Sequence, residues 1–213
     1  MFEIRVHGLG GQGAVTLCTW TARAGYLAGK HVQAFPFFGA ERRGAPVKAF
    51  VRIDEREISL RSQVYMPDLL VVMSSDLTGM AISEGLKPGG ILLINATEDL
   101  ARTLAGRFGR VVMYLDATGI ALSLGLEFDG MPMVNLPLFG AMVRLSEVAP
   151  LDTALEVIRD ATAARGDFTA YQKAVAGGDE SVLTAVPAAG EEPPPDPGSD
   201  LDMSRSGVTP IEP

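Results

Sequence analysis

The residues best suited to chemistry are the glycines of Gly8-Leu9-Gly10-Gly11-Gln12-Gly13, set between an apolar run, Ile4-Arg5-Val6, and a helix-like segment that starts at Ala14. Gly8, Gly10 and Gly13 keep the G-x-G-x-x-G spacing of turns that bring backbone N–H groups and a helix N-terminus up to a phosphate. Gly11 lies in the same turn, and Gln12 is expected to face out of it toward a ligand. A nicotinamide-dinucleotide site also places an acidic residue roughly 20 positions further on, at the end of the second strand. Here the second apolar run, His31–Phe35, ends without one and continues into Pro36-Phe37-Phe38-Gly39-Ala40-Glu41-Arg42-Arg43-Gly44-Ala45-Pro46. Arg42 and Arg43 lie in a glycine- and proline-bracketed loop, and guanidiniums pair with phosphate oxygens bidentately. Turn and arginines together suit a phosphorylated adenine nucleotide carrier rather than plain NAD. Taken singly, the turn also fits a ligand-free strand-to-helix connection, and the arginines a solvated surface pair.

The elements that must hold these residues alternate. Strand-like runs fall at 2–6, 31–35, 48–53, 69–73, 91–95 and 111–115, and helix-like segments at 14–28, 76–86, 97–106, 117–125, 137–147, 151–164 and 168–184. That rhythm predicts an α/β, Rossmann-like fold: a mostly parallel sheet with helices on both faces. Residues 48–60 alternate apolar and polar around Asp54-Glu55, and are read as an inserted β-hairpin. In such sheets ligands sit beyond the carboxyl ends of the strands. Gly8–Gly13, Phe35–Gly44, Ser74-Ser75-Asp76 and Asn95-Ala96-Thr97 collect there. Ser75, Asp76 and Thr97 read as helix N-caps. Asn135, two residues before Pro137, reads as the cap of the next helix.

Composition bounds what the chain does. Its 213 residues, 47% of them hydrophobic, suit one folded domain over 1–186. Residues 187–213 hold seven of the 14 prolines and six acidic residues against Arg205 alone, which predicts an extended or disordered acidic tail. The single cysteine, Cys18, falls inside the first helix and reads as core, so no disulfide framework exists and no iron–sulfur cluster has its ligands here. His7 and His31 read as structural, and no metal site or catalytic residue is assigned. With no secretion signal or membrane-length apolar run, the expected location is the cytoplasm. A pI near 4.8 argues against nucleic acid as a partner.

Four blocks in order carry a family resemblance: Val6–Val15, Phe35–Val47 with Phe-Gly-Ala-Glu-Arg-Arg-Gly-Ala-Pro-Val inside it, Ile58–Asp68, and Asn135–Ala141. Over roughly residues 2–183 the chain resembles the gamma subunit of 2-oxoacid:acceptor oxidoreductases, the pyruvate:ferredoxin oxidoreductase-like enzymes. The resemblance implies a subunit of a complex that oxidatively decarboxylates a 2-oxoacid, pyruvate by default, to acyl-CoA and CO2. It implies alpha, beta and ferredoxin-like delta companions that carry thiamine diphosphate, magnesium and 4Fe-4S clusters, and ferredoxin or another acceptor for the electrons. It implies coenzyme A as the ligand of this chain, at Gly8, Gly10, Gly11, Gln12, Gly13, Arg42 and Arg43, with Asn135 near the ligand or a subunit contact. The chain alone is expected to be inactive. The competing reading is a free-standing NADP- or nucleotide-binding regulator, with Arg42 and Arg43 on a 2′-phosphate.

Overall fold

A computed structural model describes residues 1–37, 44–79, 85–163 and 168–186. In chain order the elements are β1 (Phe2–Leu9), α1 (Ala14–Leu27), β2 (His31–Phe37), β3 (Pro46–Asp54), β4 (Leu69–Val72), a 3₁₀ turn (Ser75–Gly79), β5 (Ile91–Asn95), α2 (Glu98–Phe108), β6 (Val112–Leu115), α3 (Ala117–Ser123), β7 (Glu127–Phe128), β8 (Met131–Pro132), α4 (Asn135–Ser146), α5 (Leu151–Thr162), α6 (Thr169–Glu180) and β9 (Leu183–Ala185). The main sheet runs β2-β3-β1-β4-β5-β6-β9. Its centre, β1-β4-β5-β6, is parallel; β3 lies antiparallel between β1 and β2, and β9 antiparallel on β6. This is the Rossmann-like α/β architecture that the alternating pattern predicts.

The antiparallel hairpin exists, but β2 and β3 form it, with Val32 facing Ile53 and Phe35 facing Phe50. Residues 48–54 are one strand, and 55–60 form none. The alternation at 48–53 arises because β3 has two unlike faces. Val47, Ala49, Val51 and Ile53 join the main core, whereas Lys48, Phe50 and Arg52 face the other side. The predicted helix 76–86 is a 3₁₀ turn at Ser75–Gly79, with 80–84 outside the described residues. The predicted helix 168–184 stops at Glu180, and its last residues become edge strand β9. Leu183, Thr184 and Ala185 pair with Tyr114, Met113 and Val112, so ladder hydrogen bonds override a helical continuation. The β7–β8 pair was not expected. Its turn is Asp129-Gly130, with φ of 52° and 74°, the two left-handed positions that a type I′ turn requires. The tail from 187 lies outside the described residues.

The main core lies between one sheet face and α1, α4, α5 and α6. Ile4, Val6, Leu69 and Val71 meet Leu17, Phe139, Met142 and Val157 there. Each such side chain stabilises the fold by roughly 1.5–3 kcal/mol on burial. Cys18 belongs to this core, and burial pushes its thiol well above its ordinary value. α4 and α6 meet backbone to backbone. A Cβ at Gly140 would strike Val175 O, and one at Gly178 would strike Pro137 O. On the opposite face, α2 covers Leu70, Val72, Leu92 and Ile94. Beyond α2, under β1–β3, that face is polar. Arg52, 1% exposed, donates to Glu3 at 2.9 Å, Gln33 at 3.1 Å and Gln63 O at 3.2 Å, and its guanidinium lies 5.4 Å from the Phe35 ring centre. Arg5 reaches Tyr65 O at 3.2 Å. Residues 55–68 therefore close this part of the sheet by hydrogen bonds instead of a helix.

Candidate functional site

β1 delivers the chain into the glycine turn, and α1 leads it away. Gly8 is packed too tightly for a side chain: a Cβ would sit 3.0 Å from Met73 Sδ and 3.2 Å from Ala14 Cβ. Gly11 and Gly13 have φ of 99° and 81°, left-handed conformations that glycine alone adopts without strain. Gly13 is the N-cap of α1; no side chain caps that helix, and its first turn holds no acidic residue. Its first N–H groups thus carry a partial positive charge, and among the described residues no side chain accepts from them.

Not every backbone donor of the turn is open. Gly10 N–H donates to Ala45 O at 2.8 Å, Gly44 N–H returns to Gly10 O at 3.2 Å, and Gln12 N–H goes to Leu9 O at 3.0 Å. Among the described residues nothing accepts from Gly11 or Gly13 N–H. The Gly10 bonds also fix where the arginine loop returns. Arg42 and Arg43 themselves lie outside the described residues, but Gly44 is hydrogen-bonded to the turn.

Gln12 does not point wholly outward, as its sequence position suggests. Its Oε1 accepts from Leu9 N–H at 2.8 Å, bracing the turn, while the residue still lines the adjoining cleft. Asn135 is not the cap of α4 but its first residue; Val134 occupies the cap position, without a side-chain bond. Asn135 is instead pressed against the glycine turn. A Cβ on Gly13 would lie 2.7 Å from Asn135 Nδ2, so the two positions fit only because one is glycine. Asn135 is 6% exposed, and among the described residues its carboxamide has no hydrogen-bond partner.

The polar residues at the other strand ends differ. Asn95 Nδ2 donates to Met73 O and Thr118 Oγ1, both at 3.0 Å, and its Oδ1 accepts from Thr118 N–H at 3.3 Å. Asp116 caps α3 by accepting from Gly119 N–H at 2.7 Å. Ser74 Oγ accepts from Asp76 N–H at 3.3 Å and brackets the 3₁₀ turn. Thr97 holds the cap position of α2 without a side-chain bond. The strand ends of β4, β5 and β6 are tied up internally, and the opening lies at β1.

That opening is a cleft of about 380 Å³ lined by Gly11, Gln12, Gly13, Asn135, Trp20 and Tyr171, with the β7–β8 turn as its rim. Trp20, Phe128, Met131, Met133 and Tyr171 are cleft residues that the sequence did not single out. The Asp129-Gly130 pair was the available signal, since it marks a turn beside Phe128. His7, one residue before the turn, faces the opposite, polar side of the sheet. Burial, with Arg5 and Lys48 adding positive charge, pushes its pKa down to about 3, and among the described residues its Nε2 has no partner. The imidazole is therefore neutral at ordinary pH.

Among the described residues no helix is long and apolar enough to cross a membrane. Residues 3–177 match the model of the pyruvate ferredoxin/flavodoxin oxidoreductase family. The chain is 42% identical over 164 residues to the pyruvate/ketoisovalerate oxidoreductases common subunit gamma of Thermococcus litoralis, covering 75% of this chain and 86% of that one. The crystal structure of pyruvate oxidoreductase subunit PORC from Thermotoga maritima superposes with a TM-score of 0.73 at 37% identity, over 86% of this chain and 97% of that one. The 2-oxoglutarate:ferredoxin oxidoreductase of Magnetococcus marinus, solved with 2-oxoglutarate, coenzyme A and succinyl-CoA, shares the fold at 19% identity. Its TM-score is 0.67, over 84% of this chain and 30% of that one.

Proposed function

This chain belongs to the pyruvate ferredoxin/flavodoxin oxidoreductase family, and we propose that it is the coenzyme A-holding gamma subunit of a 2-oxoacid:ferredoxin oxidoreductase. The complex converts a 2-oxoacid and coenzyme A to acyl-CoA and CO2, and passes two electrons to ferredoxin or a similar acceptor. Thiamine diphosphate with magnesium, and 4Fe-4S clusters, belong on alpha, beta and delta companions in the cytoplasm. A cubane cluster takes about four thiolates, and this chain has one cysteine, buried in the core. The name of the Thermococcus relative describes one gamma subunit common to pyruvate and ketoisovalerate oxidoreductases, which supports placing the choice of 2-oxoacid elsewhere in the complex.

The observation that carries the ligand assignment is the uncapped α1 N-terminus at Gly13, with Asn135 seated against it and Gly44 bonded to Gly10. Gly8 and Gly10 shape the turn. Gly11 and Gly13 offer N–H donors to a diphosphate, Gln12 holds the turn's curvature, and Arg42 and Arg43 are assigned to the 3′-phosphate by their charge. The chain's work is to bind and orient the carrier so that its thiol reaches a companion subunit. Exposed Leu60, Tyr65 and Met66, in one of the family-like blocks, give the complex an apolar surface on which to assemble.

In the assembled enzyme, Arg42→Ala or Arg43→Ala is expected to raise KM for coenzyme A by about 10- to 150-fold, the loss of one charge-assisted contact. KM for the 2-oxoacid should hold. Should both variants keep a normal KM for coenzyme A while the subunits separate, the loop is a subunit contact and the ligand assignment fails.

A further inference from the structure

We infer that the acidic, proline-rich segment Pro187–Asp202 docks on the rim where α2 ends and β6 begins, setting Glu191, Glu192 and Asp196 against Arg107 and Arg110 and covering the open edge of β9. The inference stands apart from the coenzyme A reading. This rim lies at the start of the parallel strands, and the glycine turn lies beyond their far end.

A short connection builds the rim. Gly109 ends α2 in a left-handed conformation, φ 58°, and Arg110 and Val111 lead straight into β6. Val112 pairs with Ala185, so the chain leaves β9 at Val186, level with Val111. Both valines are about half exposed, at 57% and 48%. Ala185 is buried in the same cluster as Leu104 and Ala105, which fixes the point of departure beside α2. β9 is the outermost strand, and among the described residues its other edge has no ladder partner. Such an edge is commonly covered by another segment.

Two guanidiniums stand on this rim without a carboxylate. Arg102, earlier in α2, pairs with Glu98 at 2.6 Å. Arg107 and Arg110 enter no ion pair among the described residues. Arg107 lies over the Phe108 ring at 5.9 Å, and Arg110 donates to Gly90 O at 3.0 Å. Burial holds the Arg110 pKa below its ordinary value, with no anion offsetting it.

Charge and reach select the occupant. Residues 187–202 carry five carboxylates and no cation. Glu191 is five residues past Val186, about 16 Å of extended chain at about 3.1 Å per residue, enough to span the rim. Pro187 and Pro193–Pro195 restrict the chain before it binds, and offer apolar rings to Val111 and Val186. Exposed ion pairs are individually weak. A tethered segment, however, meets its site at an effective concentration on the order of millimolar. A second copy or a companion subunit lacks that advantage.

Cys18 is buried, so a nitroxide attached through Ser199→Cys labels the full chain at one position. In nuclear magnetic resonance spectra, amides of 107–112 and 183–186 are expected to broaden, and those of β2 to stay sharp. Glu191→Lys with Glu192→Lys should lower the docked-to-free ratio about fivefold, the combined effect of two or three exposed pairs. Raising salt to about 0.5 M should act in the same direction. These substitutions lie beyond β9, so a change cannot come from a damaged core. Adding Arg107→Glu and Arg110→Glu to the reversed segment should restore the broadening. Sharp amides at the rim, or broadening unchanged by charge reversal and salt, would overturn the inference. So would broadening seen only between a labelled and an unlabelled copy, or only once companion subunits are added.

Discussion

On one face of the sheet, α1, α4, α5 and α6 close over Ile4, Val6, Val51 and Leu69 by apolar contact and by glycines that let backbones touch. On the other, under β1–β3, Arg5 and Arg52 lie beneath residues 55–68, tied by directional bonds to Tyr65 O and Gln63 O, with Arg52 also held by Glu3. Burial on the first face is tolerant of chemistry but not of volume. The second tolerates volume better than the loss of a donor or acceptor. The cleft at the glycine turn opens on the face held by shape, although Gln12 and Thr162 in its walls each use a side-chain oxygen in an internal hydrogen bond.

The comparison breaks most sharply at the α4–α6 seam. Gly178→Val would drive two methyl groups into Pro137 O, a backbone atom that cannot swing aside. The expected loss is about 3 kcal/mol or more, or about 6–12 °C in thermal midpoint for a chain of this size. A midpoint within about 2 °C of the parent would show that the seam opens freely.

On the polar face the equivalent break is Arg52→Leu, which keeps the bulk and removes the donors. Glu3 then loses its 2.9 Å partner and Gln63 O its donor, although Lys87 still stands 3.7 Å from Glu3. A loss of about 2–3 kcal/mol in chemical unfolding is expected, with faster proteolytic cleavage within 55–68. Trp20 emission should be unchanged, because its cleft lies across the sheet. Altered emission would mean that the two faces are mechanically coupled.

This difference also governs how much of the molecule was legible in the sequence. The strands and helices of the apolar face follow from hydrophobic periodicity, a local signal, and α1 starts at Ala14 as expected. Residues 55–68 carry no such period, because their role is to present carbonyls to arginines far away in the chain. The glycine turn was readable from spacing. That Gly10 and Gln12 give their N–H groups to the protein was not, since one acceptor, Ala45, arrives with the segment that leads into β3. Asn135 was read as a helix cap and, from the family resemblance, as a residue near the ligand or a subunit contact. Its actual neighbour is Gly13, which periodicity does not place beside it. Leu183–Ala185 reads as helix locally and becomes strand only because β6 offers an open edge.

A smaller, pH-dependent effect sharpens the contrast. In the unfolded chain His7 takes up a proton near 6.5, whereas in the folded protein it does so only at about 3. Stability is therefore lost as pH falls below about 6.5, and the loss continues toward 3. At pH 5 this amounts to about 2 kcal/mol. His7→Gln should flatten that acid limb, narrowing the gap between thermal midpoints at pH 7 and pH 5. Parallel curves for parent and variant would place the acid sensitivity elsewhere.

The position of β3 between β1 and β2 sets an order of assembly. β1 leaves a ribosome before β3 and β4, yet it ends in the interior of the sheet, with Ile4 beside Val51 on one side and Leu69 on the other. Pairing that joins distant parts of a chain is slow, because the loop between them must first be closed. β2 and β3, by contrast, are neighbours in sequence and pair directly. A nascent chain that stops short of Ala45 has Gly10 without its acceptor and β1 without either neighbour. The shape of the glycine turn is thus a late product of folding, completed by residues synthesised well after the glycines themselves.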